Sequence, residues 1–575
     1  MSTIAQHLTD LVATAAKAAG LDGSPVPLEP CVPTNNPDHG DYQSNYAFRL
    51  AKAARQNPRQ VAQQLVDALP ADGSVAEATV AGPGFVNFRL ANDWLAADLK
   101  ARAADERMQG PTPGAGKTVV IDYSSPNIAK RMHVGHLRST VIGGALDRLH
   151  RYLGWKVVAD NHIGDWGTQF GKLIVAWNGW RDDAAYEVDP IGELQRIYQD
   201  FDVRKEADPT LIDQARAETA KLQAGDPDNV ALWQQFIDAS MREFNGVYDR
   251  LGIRFDVVHG ESFYNEALGP LVDELLEKGV AEVSEGAVVV PFTNDDGKGL
   301  AKNPLLIRKS DGASLYGTTD LATIRHRTAT WSPDLALYVV DKRQQLHFRQ
   351  VFAAAKKMGS DQTQFVHVWF GTLLVDGAAM SSRKGSVINL VDLLDTAAER
   401  AFAIVSERSP ELPDEERKAI AEAIAVGTIK YFDLSQNPQS DIDFTWDKAL
   451  SLDGGSAVYL MYAYARLHKM LRDEGVAEGV SAAPSLAHPS ERTLGLLAAR
   501  VPEAAQAAAD TCRPNLLAEH LDALASAVGP FYNDCPVRKE PDAEVKAGRL
   551  ALVHVVTRAL QLGLGLLGIP VVERM

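Results

Sequence analysis

The chain has 575 residues, 46% hydrophobic and 23% charged, with a formal net charge of −17, an ordinary globular composition on a length too great for one hydrophobic core. Its N-terminus lacks the basic start and apolar run of a secretion signal, and no segment offers the roughly 20 uninterrupted apolar residues of a membrane span; residues 550–569 come nearest, but His554, Arg558 and Gln561 break the run. The acidic balance alone argues against a nucleic-acid partner, although a large chain can carry a basic surface locally, and Cys31, Cys512 and Cys535, far apart and without a CxxC pair, fit a reducing cytoplasm.

In chain order, residues 1–112 read as a small α+β domain. Two helix candidates flank the polar loop 33–42, and AGPGFVNF (81–88) reads as a turn into a strand. The linker 110–116 is rich in proline and glycine. It holds a decoy, Gly114-Ala115-Gly116-Lys117-Thr118, which lacks the leading glycine of a phosphate-binding P-loop and runs into a strand-like segment rather than a helix.

Residues 119–171 organise the middle of the chain. The apolar run 119–121 gives way to the polar loop Ser124-Ser125-Pro126-Asn127. His133-Val134-Gly135-His136 then opens a helix with Leu137, Val141, Ala145 and Leu149 at four-residue spacing, and a second strand is predicted over 155–159. Strand, loop, helix, strand is the unit of a nucleotide-binding α/β domain, and the helix start is a place where backbone N–H groups favour phosphate. From 117 to 436 strand-like and helix-like segments alternate as in a doubly wound parallel sheet, with strands at 287–291, 335–340 and 365–368 and a charged helical insertion at 183–250. Beyond 445 the chain is nearly all helical. Tyr459, Tyr462, Ala463, Leu467 and Met470 are placed on one helical face, and 549–569 forms a last long helix. Three domains are therefore expected, 1–112, 113–445 and 446–575.

SSPNIAKRMHVGHLRST (124–140) followed by NHIGDWGTQ (161–169) resembles the signature of the arginyl-tRNA synthetases, a class I aminoacyl-tRNA synthetase family. The likeness extends to LYGTTDLA (315–322), YVVDKRQ (338–344) with His347, MSSRKG (380–385) in place of the KMSKS loop, GDYQSN (40–45) and AGPGFVNF near the start, and YLMYAYARL (459–467) and VVERM (571–575) in the helical part. It covers essentially the whole chain. The resemblance implies a Rossmann-type α/β catalytic domain with a parallel sheet, an N-terminal α+β domain that meets the tRNA elbow and a C-terminal all-α anticodon-binding domain. It implies activation of L-arginine by ATP, as Mg²⁺-ATP, to arginyl-adenylate, and transfer to tRNA(Arg). A cytoplasmic enzyme follows, monomeric by family default, with no membrane partner and with tRNA needed for amino-acid activation.

Neither chemical step needs a protein nucleophile, so positioning and electrostatic stabilisation should dominate. The resemblance puts His133 and His136 on the ATP phosphates and Gly135 against the adenine, with Met380, Ser381 and Ser382 in the ATP loop. Taken alone, the two histidines also fit a bland surface pair or half a metal site, but no Cys or His cluster completes a zinc site. MSSRKG has no lysine directly after its Met-Ser, so Arg383, Lys384 and Lys130, just before the histidines, are the cations that could meet the pyrophosphate. A guanidinium with five donors needs fixed, ionised acceptors. Asp320 is the first candidate, with Tyr316 one turn earlier and Glu261 as a second carboxylate. Ser125, Asn127, His136 and Gln344 match positions that hold the amino acid's α-ammonium and carboxylate. For tRNA the resemblance points to Phe85 and Asn87 on the elbow side, with aromatic stacking on an unpaired base as the physics, and to Tyr459, Tyr462, Arg466 and Met575 at the anticodon. Two competing readings are a tRNA-binding paralogue without catalysis and a class I synthetase for another amino acid. Gly144, where the family commonly has Asp, and the altered basic loop are the departures.

Overall fold

The computed structural model describes residues 3–21, 26–34, 36–375, 378–379, 388–451 and 454–575. They form two compact units, residues 114–449 and residues 1–113 together with 450–575.

The 114–449 unit is built on a four-stranded parallel sheet in the order Gln364–Phe370, Leu335–Asp341, Thr118–Asp122, Lys156–Asp160. The two central strands are continuous β-branched and aliphatic runs, as expected of strands covered on both faces. Between Thr118–Asp122 and Lys156–Asp160 the chain crosses over through the helix Val134–Tyr152. Leu137, Val141, Ala145 and Leu149 on that helix are all at most 2% exposed, in a helix buried on nearly every side, and a different face meets the sheet, where Ser139 Oγ donates to the Val339 carbonyl at 2.6 Å. The predicted insertion is present as four helices, Asp183–Val188, Pro190–Ala207, Thr210–Gln223 and Pro227–Leu251. Thr118 opens a strand, consistent with rejecting a P-loop there.

One expectation fails. The strand Ala287–Val290 is not in the parallel sheet but in a separate antiparallel one, between Glu282–Ser284 and Leu305–Arg308. Ser284 pairs with Ala287 across two residues, Glu285 and Gly286, with φ of 51° and 80°. Two left-handed residues make the tight hairpin turn that matches strand twist, and a strand returning by such a turn can only be antiparallel.

In the other unit, an antiparallel sheet in the order Val32–Pro33, Tyr42–Ser44, Phe85–Leu90, Val75–Ala81 carries helices including Ile4–Ala18 and Asn92–Ala103. The C-terminal helices Ala457–Asp473, Pro489–Ala499, Val501–Asp510, Asn515–Asp534 and Ala543–Leu566 belong to the same unit. Sequence pattern divides the chain into three domains, whereas the structure gathers its first and last parts into one compact body. The joint is polar: Arg492 makes two 2.7 Å hydrogen bonds to the Asp41 carboxylate, which also accepts the Leu90 N–H at 2.7 Å. Tyr42 and the Ala5 N–H both donate to Glu503. Ala543–Leu566 is apolar and long enough to cross a membrane by length and composition, but 67% of its apolar window is buried, the environment of a core helix. Cys31, Cys512 and Cys535 are free thiols.

The face predicted for Ala457–Asp473 needs correction. Ala463, Leu467 and Met470 are buried, whereas Tyr462 is 44% exposed, Arg466 is exposed and Tyr459 is half-buried. Tyr462 and Arg466 lie at the solvent edge of the arc whose buried edge holds Ala463 and Leu467, because at 3.6 residues per turn neighbouring residues are turned by about 100°.

Candidate active site

Two imidazoles stand where the first strand feeds the helix. His133 is the N-cap of Val134–Tyr152, and its Nδ1 accepts the Gly135 N–H at 3.0 Å. The His133 N–H donates to Nδ1 of His136 at 3.1 Å, and the rings lie 4.1 Å apart. These are the orphan donors of a helix start, satisfied here by ring nitrogens. With both Nδ1 atoms accepting, each neutral ring carries its proton on Nε2, so both present an N–H outward. Burial, then the charge of His133, pushes the His136 pKa down to about 3; burial and Lys130 lower that of His133. Both rings are therefore neutral donors at physiological pH. A Cβ at Gly135 would come within 2.6 Å of the His133 ring, so the local reason for that glycine is the imidazole folded over it.

The loop before the helix is strained and heavily bonded. Ser124, Ser125 and Ala129 hold φ of 74°, 49° and 61°, a left-handed conformation that costs on the order of 1–3 kcal/mol per residue and persists only where its surroundings enforce it. The enforcement is visible. The Ser124 N–H donates to Ser139 Oγ, Ser124 Oγ meets Tyr248 OH at 2.8 Å, and the Ser125 N–H donates to Asn161 Oδ1, whose own amide donates to Tyr248. The Gly164 N–H donates to the Pro126 carbonyl and the Gly164 carbonyl accepts from Ile128, while the Ile163 carbonyl accepts the Glu261 N–H. A Cβ at Gly164 would sit 2.3 Å from Asn127 Oδ1. One dipeptide thus ties the Asn127 loop to the Glu261 segment, and Asn127 itself stays exposed.

Three carboxylates gather beyond it. Asp165 accepts from the Ser262 N–H and Oγ at 2.8 and 2.6 Å, and Gly260 has no room for a Cβ beside that carboxylate. Burial, then the charges of Asp165 and Asp320, raises the Glu261 carboxyl to about 7. Asp320 lies one turn into the helix Tyr316–Trp331 and is bonded to His347 Nε2 at 2.5 Å. That helix is pinned by Arg327, two turns on along the same face, whose guanidinium bonds Asp122 at 2.7 Å and Asp160 at 2.8 and 3.0 Å with only 2% of its side chain exposed. Asp122 and Asp160 are register partners at the C-terminal ends of adjacent parallel strands, the edge at which open α/β sheets hold ligands. Burial alone would lower the Arg327 pKa; the two carboxylates outweigh it and raise it.

Tyr316 is 75% exposed at the start of its helix, one turn from Asp320. Gln344 is exposed at the turn after Leu335–Asp341, its side chain not spent on capping the next helix. Lys130 Nζ lies 5.0 Å from the Tyr198 ring centre, a cation–π contact with the helical insertion. Met380, Ser381, Ser382, Arg383 and Lys384 lie outside the described residues. Beyond them, Ile388 and Leu390 pair with the imidazole segment: the Val134 N–H donates to Ile388 O at 3.2 Å and the Leu390 N–H to Met132 O at 2.9 Å. In the other unit, Phe85 is half-buried, edge-on to Phe48, while Asn87 is 4% exposed with its Oδ1 lacking a hydrogen-bond partner. Asn87 sits on a strand paired on both sides, so only Phe85 of the two keeps a solvent face. Arg466 lies over the Tyr532 ring at 4.0 Å, and Met575 is half-buried.

Tyr248, Asp165, Gly164, Arg138 and Arg327 are not singled out by sequence reasoning. Arg138, one turn past the imidazoles, is buried against Asp433 and donates to the carbonyls of Gly371 and Ser440 at 2.9 Å. Its position just after HVGH is the available signal. Gly144 has its own explanation: a Cβ there would be 2.3 Å from Ile253 Cδ1, so an aspartate would not fit this packing.

Three family models match: "tRNA synthetases class I (R), catalytic domain" over residues 99–446, "DALR anticodon binding domain" over 460–575 and "Arginyl tRNA synthetase N terminal domain" over 3–90. The chain is 42% identical to an arginine–tRNA ligase of Fusobacterium nucleatum, covering 96% of this chain and 95% of that one. It is 43% identical to one of Frankia casuarinae, covering 94% of each. Among solved structures, the arginyl-tRNA synthetases of Thermus thermophilus and Plasmodium falciparum each superpose with a TM-score of 0.83 over all of both chains, at 28% and 26% identity.

Proposed function

The chain belongs to the arginyl-tRNA synthetase family, and we propose that the edge formed by His133, His136, Asn127, Glu261 and Asp320 is where it activates arginine. It is a ligase that uses ATP to join L-arginine to tRNA(Arg). The arginine carboxylate attacks the α-phosphate of ATP to give arginyl-adenylate and pyrophosphate. A ribose hydroxyl at the 3′ end of tRNA then attacks the activated carbonyl and releases AMP.

Each residue has a role that follows from its chemistry. The outward Nε2–H groups of His133 and His136 donate to the phosphates as negative charge builds on the α-phosphate, preorganised by the backbone bonds that fix their tautomers. Asp320 and Glu261 accept the guanidinium, Tyr316 lies along it, and Ser125, Asn127 and Gln344 hold the α-ammonium and carboxylate. Arg383, Lys384 and Lys130 supply cations toward the pyrophosphate, and Gly135, Met380, Ser381 and Ser382 border the nucleotide. Mg²⁺ prefers phosphate oxygens and water. The ion would therefore enter on the triphosphate. Phe85 meets the elbow of the tRNA, Asn87 being buried in the same strand, and Tyr459, Tyr462, Arg466 and Met575 meet its anticodon, by stacking and hydrogen bonding to unpaired bases. We place the enzyme in the cytoplasm as a monomer.

The observation that carries this reading is the Ile163-Gly164 tie, which brings the Asn127 loop and the Glu261 carboxylate to one edge. Charging of a mixed tRNA pool with each labelled amino acid tests it: only arginine should be attached, and equal attachment of a second amino acid would refute it.

A further inference from the structure

His347 and Asp320 come from different helices, Gln345–Lys357 and Tyr316–Trp331, and meet through a single bond from His347 Nε2 to Asp320 Oδ2 at 2.5 Å. Neither group is deeply buried: the side chains are 25% and 21% exposed. A polar contact this open contributes little to stability, so it has a better explanation in what it does to the carboxylate. A carboxylate has two oxygens and about four lone-pair directions. Left alone on a helix, the Asp320 side chain would turn about its terminal torsion, which is broad and roughly two-fold. One donor on Oδ2 removes that freedom. It leaves Oδ1, and the second lone pair of Oδ2, as a pair of acceptors in a fixed plane. A guanidinium binds a carboxylate through two parallel N–H···O bonds and needs that plane to be set.

We propose that His347 is a positioning residue for arginine: its Nε2–H fixes the plane of the Asp320 carboxylate so that the guanidinium meets it with two parallel hydrogen bonds. The inference rests on Asp320 being the guanidinium acceptor. His347 acts here through Asp320, so its effect falls on arginine recognition. Its ring is held in turn by the edge-on contact with Phe348, centroids 5.5 Å apart, and Phe348 is itself buried beside Tyr338 and His367. The donor is thereby fixed from the core.

His347→Gln and His347→Asn separate position from bulk. A glutamine amide N–H reaches about as far as Nε2, whereas the asparagine amide falls short at the level of Nδ1. Both are polar replacements at a partly exposed site and keep the helix. With full-length enzyme, tRNA(Arg) and ATP–pyrophosphate exchange, His347→Asn should raise KM for arginine roughly 10- to 100-fold, the range of one hydrogen bond to a charged group. KM for ATP and for tRNA should stay within about twofold, and the preference for arginine over citrulline should narrow. His347→Gln should recover most of the loss. An unchanged or lowered KM for arginine in His347→Asn overturns the inference, as does an equal loss in both variants. Asp320→Ala is the control that separates the two levels: if it leaves KM for arginine unchanged, the pocket assignment itself fails, and if it raises KM while His347→Asn does not, only the role of His347 falls.

Discussion

The backbone N–H of His133 donates to Nδ1 of His136 at 3.1 Å, and Nδ1 of His133 accepts from Gly135. Both rings therefore carry their proton on Nε2, and both are held below their usual pKa, His136 at about 3. Below that value His136 would gain a proton; above it the ring stays a neutral donor. Its titration therefore does not shape the rate of adenylate formation between about pH 5 and 9. His136→Ala should lower kcat for arginine-dependent exchange by about 10²–10³, the usual effect of removing one preorganised donor. His136→Gln, which restores an N–H at about the same reach, should keep part of it. A pH profile of the wild-type rate with an inflection assigned to His136 by nuclear magnetic resonance would contradict this.

Glu261 behaves oppositely. Its carboxyl is raised to about 7 by burial and by Asp165 and Asp320, so in the free enzyme it is substantially protonated near neutrality. Only the ionised form pairs with a guanidinium. Binding should therefore release a proton below about pH 7, and arginine affinity should fall as the pH drops through that value. Calorimetry in buffers of different ionisation enthalpy measures the proton directly. Glu261→Gln should abolish both the release and the slope; a slope that survives would assign the titration elsewhere.

Arg327 neutralises two carboxylates that lie side by side because Asp122 and Asp160 are register partners. Arg327→Met leaves two buried charges unpaired and should cost roughly 3–5 kcal/mol, read from urea unfolding of the catalytic unit. KM for arginine should rise with it, because the Asp320 helix loses its pin. Unchanged stability would mean that the carboxylates are neutralised in another way.

Much of this site is legible in the amino-acid order. The strand, helix and strand of 118–160 follow from hydrophobic period, and the N-cap falls at His133 where the polar residues precede that period. Asp320 is picked out by the likeness of LYGTTDLA to the family's segment, joined to the need of a planar cation for an ionised acceptor, and alone reads as a helix N-cap. The illegible part is non-local. Nothing near Arg327 in the chain announces the two acids that it pairs with, since their neighbourhood is created by parallel register. Gly164 reads as a turn glycine until Asn127 is found 2.3 Å from where its Cβ would be. The misplacement of Ala287–Val290 is different in kind: Glu285-Gly286 is a readable hairpin signal, overridden by the alternation around it.

Asp41 joins the start of the chain to its end. Burial pushes its carboxyl up, but hydrogen bonds from Arg492 and the Leu90 N–H outweigh this and hold it below the ordinary carboxylate range. A carboxylate with a lowered pKa contributes stability that is fully present above its unfolded value, about 3.9, and lost as the pH falls through the folded one. The Leu90 amide should accordingly be protected from hydrogen exchange at neutral pH and lose protection below about pH 4. Asp41→Asn should lose it at pH 7. Equal protection in the variant would show that the joint does not depend on this pair.

The most direct test of the arginine site is ATP–pyrophosphate exchange with tRNA(Arg) present, comparing wild type with Asp320→Ala. The wild type should exchange label only when L-arginine is supplied. Asp320→Ala should fall by about 10³ or more, as expected when an ionised, bidentate partner of the substrate is removed, with ATP binding and thermal unfolding unchanged. Near-normal exchange by Asp320→Ala, with the same KM for arginine, would contradict the account.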